Sequence, residues 1–569
     1  MKQTLYLYGT IILFCMILVL VGGCGTTPTS RAGSALDQVP RETLNANQLL
    51  SVRLQEAQLA VTELRPNAAL TALNTSVPAD TPDTLRLAYH QLRAEAYALN
   101  SDYVASARER VWMDPLLTNP EQRYNNQTQL WKTLSRLSDA DLQRVYRSGR
   151  KDALYGWLEL VRLSREYRQQ PEALSRAVAN WSRHYPGHPA NEGLLMELLE
   201  KTRQTRETSR SLRQVALLLP LTGPYTNAGT AVRDGFLAAN ANQPRGLARP
   251  VVRVYDVGAG PQMVARQYHR AVEDGAEMVV GPLHRAAVAE LTRARRLSVP
   301  VLALNYADNS RWLPKSLYQF GLSPEDEARH VAWQARLDNH QTAVALVPQG
   351  SWGARVLAAF RERWSELGGE LLESQTYDPN ETDFVIPISE LLNLTQSRAR
   401  YRDLRQRLGG SLKFEPRRRQ DVDFVFLVAR STQARQLGPQ LRFHQAARLP
   451  VYSTSHIYTG IPNPRADQDL NGIQFCDMPW TLEKQGSGAV IRDQLLANAS
   501  REQKRHTRLY ALGVDAYNVL PYLDKLGEGA FSRFNGVTGN LYLDNKRRVH
   551  RELVWARFKN GSAIIRRGR

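Results

Sequence analysis

The spacing of hydrophobic residues changes twice along this chain. Leu5 to Val21 is an almost unbroken apolar run. From Leu44 to about Arg213 apolar residues recur at helical spacing among Ala, Leu, Arg, Glu and Gln, as in Leu85 to Leu99, and strand-like runs are absent. From Gln214 onward short apolar runs alternate with helical stretches. The first of these, Val215 to Leu219, is too short for a helix of ordinary length; Pro220, Thr222, Gly223 and Pro224 close it, and helical spacing resumes at Ala231. That order predicts a strand buried on both faces, a turn and a crossover helix.

The same unit repeats. Strands are predicted at Val251 to Val257, Ala276 to Gly281 and Pro300 to Asn305, with helices at Met263 to Asp274 and Ala286 to Ser298. After Phe320, Ser323 is placed to cap a helix, with Pro324 in its first turn and Asp326 completing a capping box. A second set follows at Thr342 to Val347, Glu370 to Tyr377, Asp423 to Val428 and Pro450 to Thr454. Two such lobes in one chain predict a cleft at their junction.

The helical region has its own internal similarity. Tyr89, Leu92 and Ala105 share the spacing of Trp157, Leu160 and Ala173, an offset of about twice the tetratricopeptide period of 34. A tetratricopeptide-like domain builds a concave surface suited to proteins or peptides. Trp131, Trp157 and Trp181 are, one by one, more readily core residues than contacts. Glu197 to Arg213, rich in arginine, reads as a solvated connecting helix that orients the domains.

At 569 residues several cores are required. The net charge of +19 favours polyanionic surroundings. The N-terminus narrows the choice. Lys2, the apolar run and Val21-Gly22-Gly23-Cys24 resemble a bacterial lipoprotein signal with its lipobox, in which Cys24 is acylated after cleavage. An uncleaved anchor is the competing reading, since the run is near the lower limit for spanning a bilayer. Export makes nucleic acid an improbable partner. With Cys15 removed and Cys24 lipidated, Cys476 has no intramolecular disulfide partner. Gly25 beside Cys24 is not the aspartate that marks inner-membrane retention, so the resemblance implies outer-membrane attachment facing the periplasm. Residues 1–23 are then a signal peptide and 24–43 a lipidated tether rich in Thr, Ser, Pro and Gly.

Four segments carry a more specific resemblance: Val215 to Tyr225, Met278-Val-Val-Gly-Pro-Leu283, Phe414 to Phe424 and Gln474-Phe-Cys-Asp-Met-Pro-Trp480. They resemble the LppC family, outer-membrane lipoproteins that activate penicillin-binding proteins. The resemblance implies an α plus α/β architecture: a tetratricopeptide-like helical domain (44–213) joined to a two-lobed type I periplasmic-binding-protein-like domain (214–569). It also implies a non-catalytic role, in which the chain contacts a bifunctional class A penicillin-binding protein of the 1A type and stimulates its transpeptidase. Lobe one is expected at about 214–322 and 472–535, and lobe two at about 323–460 and 536–569. Gly472 to Pro479 and the helix Leu509 to Leu526 should return to lobe one. Gly539 to Asp544 and Glu552 to Phe558 should form a closing hairpin in lobe two.

Motifs of catalysis are missing: no Gly-x-Ser-x-Gly, His-Glu-x-x-His, paired-cysteine metal spacing or phosphate loop occurs. No cofactor or metal is expected. The main alternative is a lipid-anchored receptor for a small periplasmic solute such as a wall fragment, and an envelope hydrolase ranks third. In amino-acid receptors of the type I fold, hydroxyl residues at the helix start after the third strand hold the ligand carboxylate. The matching Gly281-Pro-Leu-His-Arg-Ala-Ala287 has none, which leaves His284 and Arg285 as anion-binding candidates or plain surface residues. Tyr225, Asn305 and His456 are further cleft candidates. Between Arg398 and Arg419 nine basic residues stand against Asp403 and Glu415. Arg417, Arg418 and Arg419 are the candidate docking residues for an acidic patch on the synthase or for anionic wall polymer, against the simpler reading of a solvated segment.

Overall fold

The protein is described here from a computed structural model. It covers residues 44–566 except 149–151, 192, 245–248, 259, 294–295, 308–312, 409–412, 487, 498 and 528–531. Cys24, the signal peptide and the tether lie outside the described residues. The chain divides into two compact units, Met1–Arg53 and Leu54–Arg569. In the first, the helix Ala46–Thr62 begins with Asn45 and Gln48 exchanging side-chain to backbone hydrogen bonds of 2.9 and 3.0 Å. All that follows concerns the second unit.

Helix pairs build residues 54–211, among them Asp83–Leu99 with Tyr103–Met113 and Ala153–Glu166 with Pro171–His184. Their starts are set locally. Asp102, Asn119 and Asp152 cap the backbone amides of the following turns, and Pro120 and Pro171 occupy first-turn positions where no amide is needed. Tyr89 and Leu92 are buried like their counterparts Trp157 and Leu160, and Trp131, Trp157 and Trp181 all fill cores. The helix Leu194–Ser211 departs from expectation. Leu198, Thr202 and Thr205 form a buried stripe at helical spacing, and Lys525 Nζ reaches Thr205 Oγ1 at 3.5 Å, so the connecting helix is packed on one side rather than solvated all round.

Residues 214–566 form two sheets. The first has eight strands. Five of them, β1 (Gln214–Leu219), β2 (Val251–Asp256), β3 (Met278–Val280), β4 (Val301–Ala303) and β5 (Leu317–Phe320), run parallel in the spatial order β5-β4-β3-β1-β2. The second has seven strands, of which β6 (Thr342–Pro348), β7 (Glu370–Tyr377), β8 (Phe424–Leu427), β9 (Val451–Ser453) and β10 (Gln474–Asp477) are again parallel, in the spatial order β10-β9-β8-β6-β7. The unbroken apolar runs have a direct cause. Val215, Leu217 and Leu219 enter one core while Ala216 and Leu218 enter another on the opposite face. In β6 and β8 the same division sends Val344, Leu346, Val425 and Leu427 one way and Ala345, Phe424 and Phe426 the other.

The end of the chain corrects two expectations. Gln474–Asp477 belongs to the second sheet, between β9 and the later strand Val554–Lys559, and the chain crosses to lobe one only afterwards, where Met478 and Trp480 join the first core. The hairpin of β12 (Asn540–Leu543) and β13 (Arg548–Glu552) then completes the first sheet, with β11 (Phe534–Asn535) at its edge. Arg548 and Val549 pair in parallel with Gln319 and Phe320 of β5. Asp544 Oδ1 closes the hairpin turn by accepting the amides of Lys546 and Arg548, both at 2.8 Å. Only then does the chain cross back, so that β14 (Val554–Lys559) and β15 (Ser562–Ile565) form a second hairpin in lobe two. In place of the single expected hairpin of Gly539–Asp544 with Glu552–Phe558, Arg548–Glu552 pairs with Asn540–Leu543 and Val554–Lys559 pairs with Ser562–Ile565, because strand pattern carries no information about which of two open sheet edges receives a strand. Three crossings, after β5, β10 and β13, therefore join the lobes, which agrees with the two-lobed α/β architecture expected.

Candidate functional site

The crossing after β5 opens the helix Pro324–Leu337 in lobe two, and its first turn carries side chains that reach both lobes. Ser323 caps it as expected, accepting the Asp326 amide at 3.1 Å, but the Asp326 carboxylate turns to His550 instead of completing the capping box. The three acids that follow each bind a different part of the molecule. Glu325 Oε1 lies 3.0 Å from Arg285 Nη1 of lobe one and 2.9 Å from Arg355 Nε of lobe two. Burial opposes its ionisation, yet the two guanidiniums hold its carboxyl below the ordinary range. Asp326 Oδ2 is 3.2 Å from His550 Nδ1 on β13, whose Nε2 meets Asp544 at 3.1 Å.

Glu327 is buried. It accepts the amide and hydroxyl of Ser455, both at 3.0 Å, and lies 3.4 Å from Arg551 and 3.7 Å from His456 Nδ1. Burial penalises the charge, but His456, Arg551 and Ser455 outweigh it and hold the carboxyl down to about 2. Beside this group Arg508, at the start of the helix Thr507–Asn518, pairs with the fully buried Asp477 and donates to the carbonyls of Ser455 and Tyr458, each at 3.0 Å. The lobes are thus joined by charge-assisted bonds as well as by chain.

Four of the sequence candidates meet at the ends of the first-sheet strands. Tyr225 and His284 face one another with ring centres 4.9 Å apart, and Arg285 follows at the start of the helix Arg285–Thr292. Asn305 is structural: it donates to the Leu283 carbonyl at 2.9 Å and accepts the Tyr306 amide at 3.0 Å. His456 sits on the other lobe against Trp352, with ring centres 5.2 Å apart, and Arg430 covers the Trp352 ring. Arg285, an anion-binding candidate, is met by the chain's own Glu325. Among the described residues no cluster of three or more His, Cys, Asp or Glu is arranged to hold a metal. Sequence reasoning missed Glu325, Glu327, His550, Arg551 and Arg508. The one local signal was Glu325-Asp326-Glu327, more acid than a helix cap needs.

The basic segment separates into parts. Arg417 is exposed. Arg418 is half-buried and donates to the Arg419 carbonyl at 2.7 Å. Arg419 retains only 14% side-chain exposure and grips Asp421 through two bonds of 2.8 Å, so it faces inward and is already paired. The helix Leu394–Leu408, which precedes them, carries most of the exposed arginines.

The molecule is, by architecture, a two-lobed α/β module fixed to a helical domain. A family model described as "LppC putative lipoprotein" matches residues 26–561, and the chain belongs to the LppC family. It is 31% identical to the penicillin-binding protein activator LpoA of Photobacterium profundum, over 93% of this chain and 85% of that protein. The corresponding activator of Aliivibrio fischeri is 28% identical over 90% and 83%. Among solved structures, full-length LpoA from Haemophilus influenzae aligns with 92% of this chain and 89% of its own, at 25% identity and a TM-score of 0.48.

Proposed function

We propose that this chain is an outer-membrane lipoprotein, acylated at Cys24 and facing the periplasm, that binds a bifunctional class A penicillin-binding protein of the 1A type and activates its transpeptidase. The observation that carries the reading is family membership over nearly the whole chain, with relatives named as penicillin-binding protein activators. The role is regulatory and non-catalytic. Activation needs only differential binding: a tenfold shift toward the active synthase costs about 1.4 kcal/mol. The tether and helical domain provide reach, and the basic outer face of lobe two, with Arg417 and Arg418 at its margin, provides the docking charge. A solute-receptor role is less well supported, because Glu325 already neutralises Arg285 and Arg355 at the place a small anion would need.

The test combines binding and activity. Mature protein from Gly25 onward is cross-linked to purified class A synthase while transpeptidation is measured in the same samples. Binding with increased peptide cross-linking is expected. Two folded proteins that neither bind nor alter the rate would sink the proposal and turn attention to a ligand screen.

A further inference from the structure

The helix Leu394–Leu408 is anchored at one end only. Leu394 and Ser397 are buried, whereas every residue from Arg402 to Leu408 is exposed. A free helical end of this length gains little stability by itself. Its residues nevertheless follow one strict pattern. Leu394, Ser397, Tyr401, Leu404 and Leu408 succeed one another at spacings of three and four, the seam of a heptad repeat. The seam begins in the lobe and runs out of it: Tyr401 stacks on Phe414 with ring centres 4.2 Å apart, while Leu404 and Leu408 are 48% and 63% exposed. The four positions flanking the seam, Arg398, Arg400, Arg405 and Arg407, are all arginine. Positions facing away hold Thr395, Gln396, Ala399, Arg402, Asp403 and Gln406, so the unbroken run of one residue type is confined to the flanks. Among the described residues, Arg407 pairs with Asp403 at 3.0 Å on an exposed surface, and no ion pair is formed by Arg398, Arg400 or Arg405.

We infer that this helix is a docking strip for an acidic amphipathic helix of a partner protein, with apolar residues on Leu404, Leu408 and Phe414 and carboxylates against the flanking arginines. Flanking charges choose the partner in helix pairing, and an all-arginine flank rejects a second copy of itself as firmly as it attracts glutamate. Arginine in place of lysine suits carboxylates, which its planar fork grips through two bonds. A lipid surface fits less well, because two leucines make too short an apolar stripe for the interface. The inference deepens the activator reading, on which it rests for where the partner is sought.

The probe is a synthetic heptad-repeat peptide with Ile and Leu along its seam and Glu at every flanking position, compared with a twin carrying Lys at those positions. Full-length mature protein is titrated with each by fluorescence anisotropy. The acidic peptide is expected to bind about tenfold or more tighter than its twin, and to weaken with added salt. Replacing the exposed Arg400, Arg405 and Arg407 by Glu should invert the preference, and Leu404→Ser with Leu408→Ser should abolish binding. Circular dichroism and melting temperature should be unchanged in both variants. Equal or absent binding of the two peptides overturns the proposal. So does a dimer in sedimentation that the leucine variant dissolves, which would make a second copy the occupant. Synthase stimulation is read in parallel. Variants that lose the peptide yet stimulate fully detach this helix from the synthase contact and leave the activator reading standing. Peptide binding by an unaltered protein that stimulates nothing sinks the activator reading and leaves the strip intact.

Discussion

His550 shows what single residues do at the crossing. Burial works against a charged ring, but Asp326 and Asp544, one on each nitrogen, outweigh it and push the histidine up to about 9. Its folded value lies above the ordinary 6.5, so the folded protein holds this proton more tightly than the unfolded chain. The stability it adds is fully present below 6.5 and is lost as pH rises through about 9. Replacing His550 by Gln should cost on the order of 2 kcal/mol near neutrality. The fall in melting temperature across that alkaline window should flatten, as a melting series would show; an unchanged slope would mean that the ring is not charged between its two carboxylates. Cys476 has the opposite character: buried beside the Glu327 backbone, its thiol is pushed well up and is inert.

At the scale of elements, the first lobe depends on an unusually close crossing between the helices Thr226–Ala241 and Thr507–Asn518. A Cβ on Gly235 would stand 2.1 Å from the Tyr510 carbonyl oxygen, and one on Gly513 would stand 2.1 Å from that of Val232. Neither neighbour can yield, because both are helical backbone. Gly513→Ala should therefore destabilise lobe one by about 1–3 kcal/mol, the ordinary cost of overpacking. Chemical denaturation measures this directly, and an unaltered midpoint would show that the helices can slide apart freely. The crossing also shows how far a sequence can be read. Gly513 sits in a helical pattern where it costs helix propensity, which flags a packing reason, but nothing local names Val232 as the neighbour.

Across the whole molecule, the helical domain is keyed to the free edge of the first sheet. Arg136 and Arg533 approach Glu552 of β13 at 3.1 and 2.9 Å, Asn535 donates to Asp139 at 2.9 Å, and Asn540 donates to the Ser135 carbonyl at 3.1 Å. Arg168 lies over the Phe534 ring, and the Tyr522 hydroxyl donates to the Arg168 carbonyl at 3.2 Å. The short edge strand β11 is covered rather than left open to another chain. Burial opposes charge on Glu552, but Arg136 and Arg533 hold its carboxyl below the usual range. Removing that charge as Glu552→Gln leaves two guanidiniums without their shared partner and should cost about 1–3 kcal/mol. It should also separate the unfolding of the helical and α/β domains in calorimetry. A single undivided transition of unchanged midpoint would show that the apolar contacts alone hold the domains together.

The sequence by itself determined the alternation of strands and helices, the two-lobed class and the capped helix at Ser323, because each is written in local spacing. An apolar run of strand length between turn residues has few other uses. The family resemblance was legible for the same reason, in short contiguous segments. What only the tertiary structure decided were the partners of charges and edges. The final hairpins went to sheets that alternation cannot distinguish. Arg419 turned inward to Asp421. Glu325, Asp326 and Glu327, adjacent in sequence, went to Arg285, His550 and Ser455, which lie in different elements. Local pattern fixes what a segment can become, since that depends on neighbours a few residues away. Which carboxylate meets which guanidinium depends on groups brought together from distant parts of the chain, and their pairing exists only once both lobes have folded.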